Sequence, residues 1–264
     1  MFDTVILLAS AVEQPVLTAL LQKHNPQLTV RQVVTAADLA GLEPKLLSRA
    51  RLVAYATAII VPPEVLDALG YGAYNFHPGP PHYPGWAPAH FAIYERAAVF
   101  GATAHVMIER VDAGPIVGVE WFAIPTDATV HSLSCLAYTA LARLYWLLAK
   151  DLATRSAPLT DLGISWSGPK GSRRRYAEMC AVPLDISKEE LDRRIRAFGG
   201  DDTEINPTIE LHGHKFRLVS TDANRGDAPA RLDSAKFAST GETSAQCAPQ
   251  RPFHDLQAGE SVSS

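Results

Sequence analysis

The strongest constraint on this chain is the run Thr4-Val5-Ile6-Leu7-Leu8-Ala9, an unbroken apolar stretch rich in branched side chains. Because polar residues do not alternate with apolar ones, the strand it predicts must be covered on both faces, as inside a parallel sheet flanked by helices. A helix should follow: Pro15 suits its first turn, Val16, Leu17, Leu20 and Leu21 supply an apolar stripe, and Asn25-Pro26 ends it. Leu28 to Val34 then reads as a strand, Ala36 to Ser48 as a helical segment interrupted by Gly41 and Pro44, and Arg51 to Tyr55 as a third strand. This β-α-β-α-β order predicts the α/β class, with a Rossmann-like, mostly parallel sheet and right-handed crossovers.

Several functions are disfavoured by what the sequence lacks. The first strand-to-helix turn, Ala9 to Glu13, has no glycine, so the phosphate loop of a dinucleotide site is missing and a nicotinamide cofactor is not expected. Net charge is −4, the wrong sign for gripping a polyanion, so no nucleic acid partner is expected. Cys135, Cys180 and Cys247 are widely spaced and lack a metal-binding pattern; no metal and a reducing compartment follow. With no basic segment ahead of the first apolar run and no uninterrupted apolar run of spanning length, a cytoplasmic location away from membranes is expected.

Further along, Ile59-Ile60-Val61 followed by Pro62-Pro63-Glu64 reads as extended chain passing into a short helix. Tyr74 to His77 reads as a strand end, Pro78 to Gly85 as a Pro/Gly-rich loop, and Trp86 to Ala98 as a helix. Thr103 to Ile108 and Ile116 to Ile124 read as strands. Thr129 to Lys150 is the strongest helix, its Leu133, Leu136, Ala137, Ala140, Leu141, Leu144 and Leu148 forming a stripe that can lie on a sheet. A catalytic domain over 1–158 is expected, then a small C-terminal α+β domain over 159–220. The latter holds a basic, turn-rich loop through Arg173, Arg174 and Arg175, a helix Ser187 to Ala197 with a capping box from Ser187 and Glu190, and a hairpin turning at Gly213. Residues 221–264, poor in large apolar side chains, are expected to be a disordered tail.

Asn75 and His77 are two apart on one strand, so their side chains share a face, at the carboxyl end of a presumptive parallel strand where open α/β sheets bind ligands. Asp112 lies on a loop that can approach them. An amide and an imidazole can hold charge developing on an acyl oxygen, and a neighbouring carboxylate orients the ring and raises its pKa. Asn75, His77 and Asp112 are therefore the catalytic candidates, and His105 is read as structural.

Asn75-Phe76-His77-Pro78, Pro81-His82-Tyr83-Pro84-Gly85, Gly101-Ala102-Thr103-Ala104-His105 and Asp112-Ala113-Gly114-Pro115-Ile116 occur in that order, and together they resemble the folate-dependent formyltransferase family. The resemblance implies transfer of a formyl group from N10-formyltetrahydrofolate to a primary amine, with a nucleotide-linked amino sugar as one acceptor class. It implies a pterin slot beside Ala58, Ile59, Ile60 and Val61, closed by backbone at Val111 and Gly114. The acceptor would pass the loop carrying Pro80, Pro81, His82 and Trp86, whose Gly-Pro-Pro-His sequence departs from the family pattern. Alternatives are a formyltetrahydrofolate hydrolase, for which this loop reads as too open, and an idle folate-binding protein. A homodimer is a further expectation.

Overall fold

The computed structural model describes residues 2–200 and 203–219. Contacts divide the chain into units Met1–Ser220 and Thr221–Ser264; the tail expected over 221–264 lies outside the described residues.

A six-stranded sheet organises the first unit, in the order β2-β1-β3-β4-β5-β6. Its members are β1 (Thr4–Leu8), β2 (Thr29–Val33), β3 (Ala50–Tyr55), β4 (Ala73–His77), β5 (Val99–Val106) and β6 (Ile116–Ala123). The first four are parallel, while β5 and β6 run antiparallel to their neighbours. Every residue of β1 and β3 is buried, as the apolar stretches Val5 to Leu8 and Leu52 to Tyr55 require. Crossovers are made by α1 (Gln14–His24), by α2 (Ala36–Ala40) with α3 (Pro44–Leu47), and by α4 (Pro63–Ala68). The interruption at Gly41 and Pro44 is a true break: Gly41 ends α2, and Pro44 begins α3, where its missing N–H costs nothing. The helix expected from Trp86 is shorter, α5 (Pro88–Tyr94), because Ala87 holds a left-handed backbone at φ 59° ahead of Pro88.

Strand alternation splits β4 and β5 into two roles. Tyr74, Phe76, Ala102 and Ala104 join the main core with Leu141, Leu144 and Tyr145 of α6 (Val130–Thr154). Ala73, Asn75, His77, Thr103 and His105 face the other way. Helix α6 starts at a capping box in which Thr129 and Ser132 exchange side-chain-to-backbone hydrogen bonds. By length and composition it could cross a membrane, but here its apolar stripe packs on the sheet.

Arg51 is the least expected core residue. Fully buried, it donates from its guanidinium to the carbonyls of Asp151, Leu152, Arg155 and Ala157, at the carboxyl end of α6, and to that of Tyr71. The rings of Phe2 and Tyr74 lie 4.9 and 5.3 Å from its central carbon. A helix end leaves carbonyls unpaired and carries partial negative charge, and Arg51 supplies both the donors and the cation.

The boundary expected at 158 does not interrupt packing. The arginines expected on a loop begin helix α7 (Arg173–Cys180), whose N-cap is Ser172. Tyr176 of α7 and Phe198 of α8 (Lys188–Phe198) share a cluster with Phe91 of α5 and Leu133 of α6. Strands β7 (Ala181–Val182), β8 (Thr208–Leu211) and β9 (His214–Arg217) form a second small sheet. Ser187 caps α8 as expected, but the Glu190 carboxylate turns to Tyr94, Arg193 and Arg194, leaving the capping box half made.

Replacing Arg51 by Ala strips several buried carbonyls of their donor and should cost about 3 kcal/mol or more. Lys, a point charge without the guanidinium fork, should recover little of this. Urea midpoints of wild type, Arg51→Ala and Arg51→Lys check it, and a Lys variant equal to wild type would be inconsistent with the capping role.

Candidate active site

The antiparallel register of β4 and β5 sets Asn75 opposite His105 and His77 opposite Thr103. Four polar side chains thus meet on the face turned away from α6. Thr103 donates from its hydroxyl to the Gly79 carbonyl at 2.8 Å, fixing the start of the Pro/Gly loop. Gly79 must stay a glycine, since a Cβ there would sit 2.6 Å from His77 Nε2 and 2.8 Å from Pro88 Cβ.

Asp112 completes the cluster. Its backbone is left-handed at φ 47°, and its residue exposure is 6%. Oδ2 accepts from the Gly85 N–H at 2.7 Å and lies 3.5 Å from His77 Nδ1. Oδ1 lies 3.1 Å from His105 Nε2 and 3.5 Å from Asn75 Nδ2. The other imidazole nitrogens meet carbonyls, which can only accept. His77 therefore carries a proton on Nε2, donated to Tyr83 at 3.0 Å, and His105 one on Nδ1, donated to Val106 at 2.9 Å. Asn75 Nδ2 lies 3.1 Å from His105 Nε2 and donates to it when that ring is neutral.

Burial pushes the His77 pKa below that of a free imidazole; Asp112 and the Tyr83 carbonyl pull upward without prevailing. Asp112 raises it, as expected, but the net shift is downward, because an almost fully enclosed ring loses more from desolvation than its neighbours return. Burial would by itself raise the Asp112 carboxyl. The opposing pull of His77, the hydrogen bond from His105 and the Gly85 N–H is larger and holds it well below the usual carboxylate range. Asp112 is accordingly a carboxylate at every pH at which enzymes ordinarily work.

Asn75, His105 and Asp112 also line a cleft. Its walls are Thr57, Ile59, Ile60 and Val61 on one side and the backbone run from Met107 to Val111 on the other. Of the residues expected around a pterin, Ile59, Ile60, Val61 and Val111 line it, whereas Ala58 and Gly114 do not. The Gly114 carbonyl instead accepts from the Trp166 indole N–H at 2.8 Å.

On the loop expected to receive the acceptor, Pro80 accepts from Tyr83 N–H in a tight turn, and Pro81 accepts from Ser167 N–H at 3.0 Å. His82 Nδ1 is 3.1 Å from the Ser167 hydroxyl. Trp86 donates its backbone N–H to Gly171, and its ring packs 4.9 Å from Tyr176 beneath Arg173. The loop is therefore not open: a strap from Leu162 to Gly171 is laced to it. Arg173, Arg174 and Arg175 pair with Glu204, Glu178 and Glu95.

Sequence reasoning placed His105 near the site as a structural residue without its contact to Asp112, and missed Trp166. The spacing of Thr103 and His105, which copies that of Asn75 and His77, was the available signal for the first; none existed for the second.

The fold and the cluster define an α/β protein with a buried carboxylate set among two imidazoles and an amide at the end of its parallel strands. Residues 10–139 match the family model described as formyl transferase. A methionyl-tRNA formyltransferase of Bacillus thuringiensis is 37% identical over 117 residues, covering 42% of this chain and 36% of that protein. The match thus spans about a third of that relative's length. A sugar N-formyltransferase of a Shewanella species has the same fold, with TM-score 0.65 at 18% identity over 83% of this chain and 96% of that one. So does an N-formyltransferase of Helicobacter canadensis, solved with folinic acid and dTDP-3-aminofucose (TM-score 0.56, 15% identity, 81% and 85% covered). Over residues 10–139 the chain is thus similar to the formyl transferase family.

An Asp112→Asn variant should lose about 2 kcal/mol near neutral pH, from imperfectly paired buried groups. Because the folded carboxyl titrates below its unfolded value of about 3.9, its stabilising contribution is complete above that pH and is lost as pH falls. The gap between wild type and variant in chemical denaturation should therefore narrow below about pH 4; a pH-independent gap would mean that Asp112 is not stabilised as an anion.

Proposed function

We propose that this protein transfers a formyl group from N10-formyltetrahydrofolate to the amino group of a small molecule. The observation carrying the proposal is the buried Asp112 carboxylate between His77 and His105, with Asn75 beside it, at the floor of an apolar-walled cleft. Apolar side chains at Ile59 to Val61 and the facing segment from Met107 to Val111 suit a pterin, whose faces are apolar and whose edge forms hydrogen bonds. The Helicobacter canadensis protein, solved with folinic acid and an amine-bearing molecule, supports a folate donor and an amine acceptor.

In this reading the amine nitrogen attacks the formyl carbon, and the carbonyl oxygen becomes an oxyanion that accepts from the Asn75 amide and is stabilised by charge on the nearby His77 ring. Negative charge building beside His77 raises its proton affinity, and Asp112 acts on the ring in the same direction. Asp112 accepts the proton lost by the amine, directly or through water. The bond from the formyl carbon to N10 then breaks, and N10 takes up a proton. Asn75, His77 and Asp112 are the catalytic residues; His105 is a positioning residue that holds Oδ1 of Asp112.

A second reading, with water as the nucleophile, is favoured by the strap over the acceptor loop, which leaves less room there than an open loop would. Incubation with N10-formyltetrahydrofolate and a panel of amines, following tetrahydrofolate release, separates the two: release that depends on an amine supports transfer, and release without one supports hydrolysis. His77→Ala and Asp112→Asn should each lower turnover by about 10²–10⁴-fold, and near-normal activity in either would sink the mechanism.

A further inference from the structure

Trp166 stands over the cluster. Its ring is 5.0 Å from that of His105 at 87° and 6.0 Å from that of His77 at 67°, an edge-to-face arrangement on both. The indole N–H is fixed to the Gly114 carbonyl, so the ring cannot turn aside without breaking a hydrogen bond. The strap carrying it is held on both sides of the site. Leu162 N–H donates to Ile116 at 2.9 Å on the β6 side, while Ser167 and Gly171 N–H donate to Pro81 and Pro84 at 3.0 and 2.7 Å on the loop side. Contact with the loop is close enough that a Cβ on Gly168, at φ +72°, would lie 2.2 Å from the His82 carbonyl oxygen. Trp166 itself is only half-buried, a large indole whose ring is held between two imidazoles and solvent.

The cleft along Ile59 to Val61 approaches Asn75, His105 and Asp112 from one direction, and Trp166 covers His105 and His77 from another. If the cleft takes the formyl donor, the nucleophile has to reach the formyl carbon from the side that the indole roofs. We propose that Trp166 is the specificity-determining residue for the acceptor, admitting compact nucleophiles and excluding amines carried on bulky groups. The inference rests on the formyl-transfer reading and deepens it. A rigid aromatic wall discriminates by size at low entropic cost, since only two side-chain torsions are immobilised and both are already fixed here.

The test compares wild type, Trp166→Ala and Trp166→Leu in two measurements. In the first, kcat/KM is determined with N10-formyltetrahydrofolate and either methylamine or glucosamine. Trp166→Ala should raise the glucosamine-to-methylamine ratio by about tenfold or more, with donor KM little changed and Leu intermediate. An unchanged ratio, or an equal loss with both amines, overturns the proposal. In the second, independent of activity, diethyl pyrocarbonate labelling is followed by peptide mass spectrometry. Labelling of His77 and His105 should quicken several-fold in Trp166→Ala while the exposed His131 and His214 keep their rates; equal rates at His77 and His105 overturn the shielding. Trp166→Leu carries both measurements if the Ala variant does not melt cooperatively. Failure of wild type to release tetrahydrofolate with any nucleophile would overturn the formyl-transfer reading and the acceptor assignment with it, and labelling would still decide whether Trp166 closes the site.

Discussion

The site depends on one buried carboxylate. Asp112 binds three separate pieces of chain: the Gly85 N–H ends the Pro/Gly loop, His77 ends β4, and His105 belongs to β5. An isolated carboxylate taken out of water would be neutralised, and only converging donors keep it charged. The left-handed backbone at Asp112 costs on the order of 1 kcal/mol for a residue with a Cβ, yet it aims both carboxylate oxygens into the cluster at once. Strain, burial and charge are thus parts of one arrangement, and loosening any partner weakens the others.

Arg51 plays the corresponding part in the scaffold. It opens β3 and satisfies the carbonyls that end α6, whereas Asn75 and His77 close β4 on the opposite face of the sheet. Tyr74 connects the two: its ring lies over the Arg51 guanidinium, its hydroxyl accepts from Leu159 N–H, and the next residue is Asn75. The same five-residue strand therefore carries the packing that anchors α6 on alternate positions and the chemistry on the others. Substitutions at Tyr74 or Phe76 would act on the cluster through the placement of Asn75 and His77.

How much of this could be read from sequence follows the range of the interactions involved. The strands β1 and β3 were legible because burial on both faces leaves mostly apolar side chains, Arg51 excepted, and α6 because Leu133, Leu141 and Leu144 share one face. Asn75 and His77 were legible as a pair, since spacing by two is a local property of a strand. What failed was longer in range. His105 acquires its role only through the antiparallel register with Asn75. Trp166 reaches the site through a strap with no periodicity to announce it. The direction of the His77 shift needed the extent of its burial, which no neighbour in sequence reveals. Arg173 to Arg175 were misread because the preceding Gly-Pro and Gly-Ser turns drew attention from Ser172, whose hydroxyl caps α7 by accepting from Arg175 N–H.

The turn from parallel to antiparallel pairing at β5 explains why such a site can exist on this sheet. Where strands are parallel, crossover helices cover both faces and leave no room for exposed polar chemistry. At β4 and β5 one face is covered by α6, whereas the other carries Thr103, His105, Asn75 and His77 and is covered by irregular chain, the Pro78 to Trp86 loop and the strap. Irregular backbone has carbonyls and N–H groups left over from regular structure, and here they are used: Tyr83 orients His77, Gly85 holds the carboxylate, Gly79 holds Thr103, and Gly114 holds Trp166. A helix packed on that face would have satisfied its own backbone and offered none of these groups.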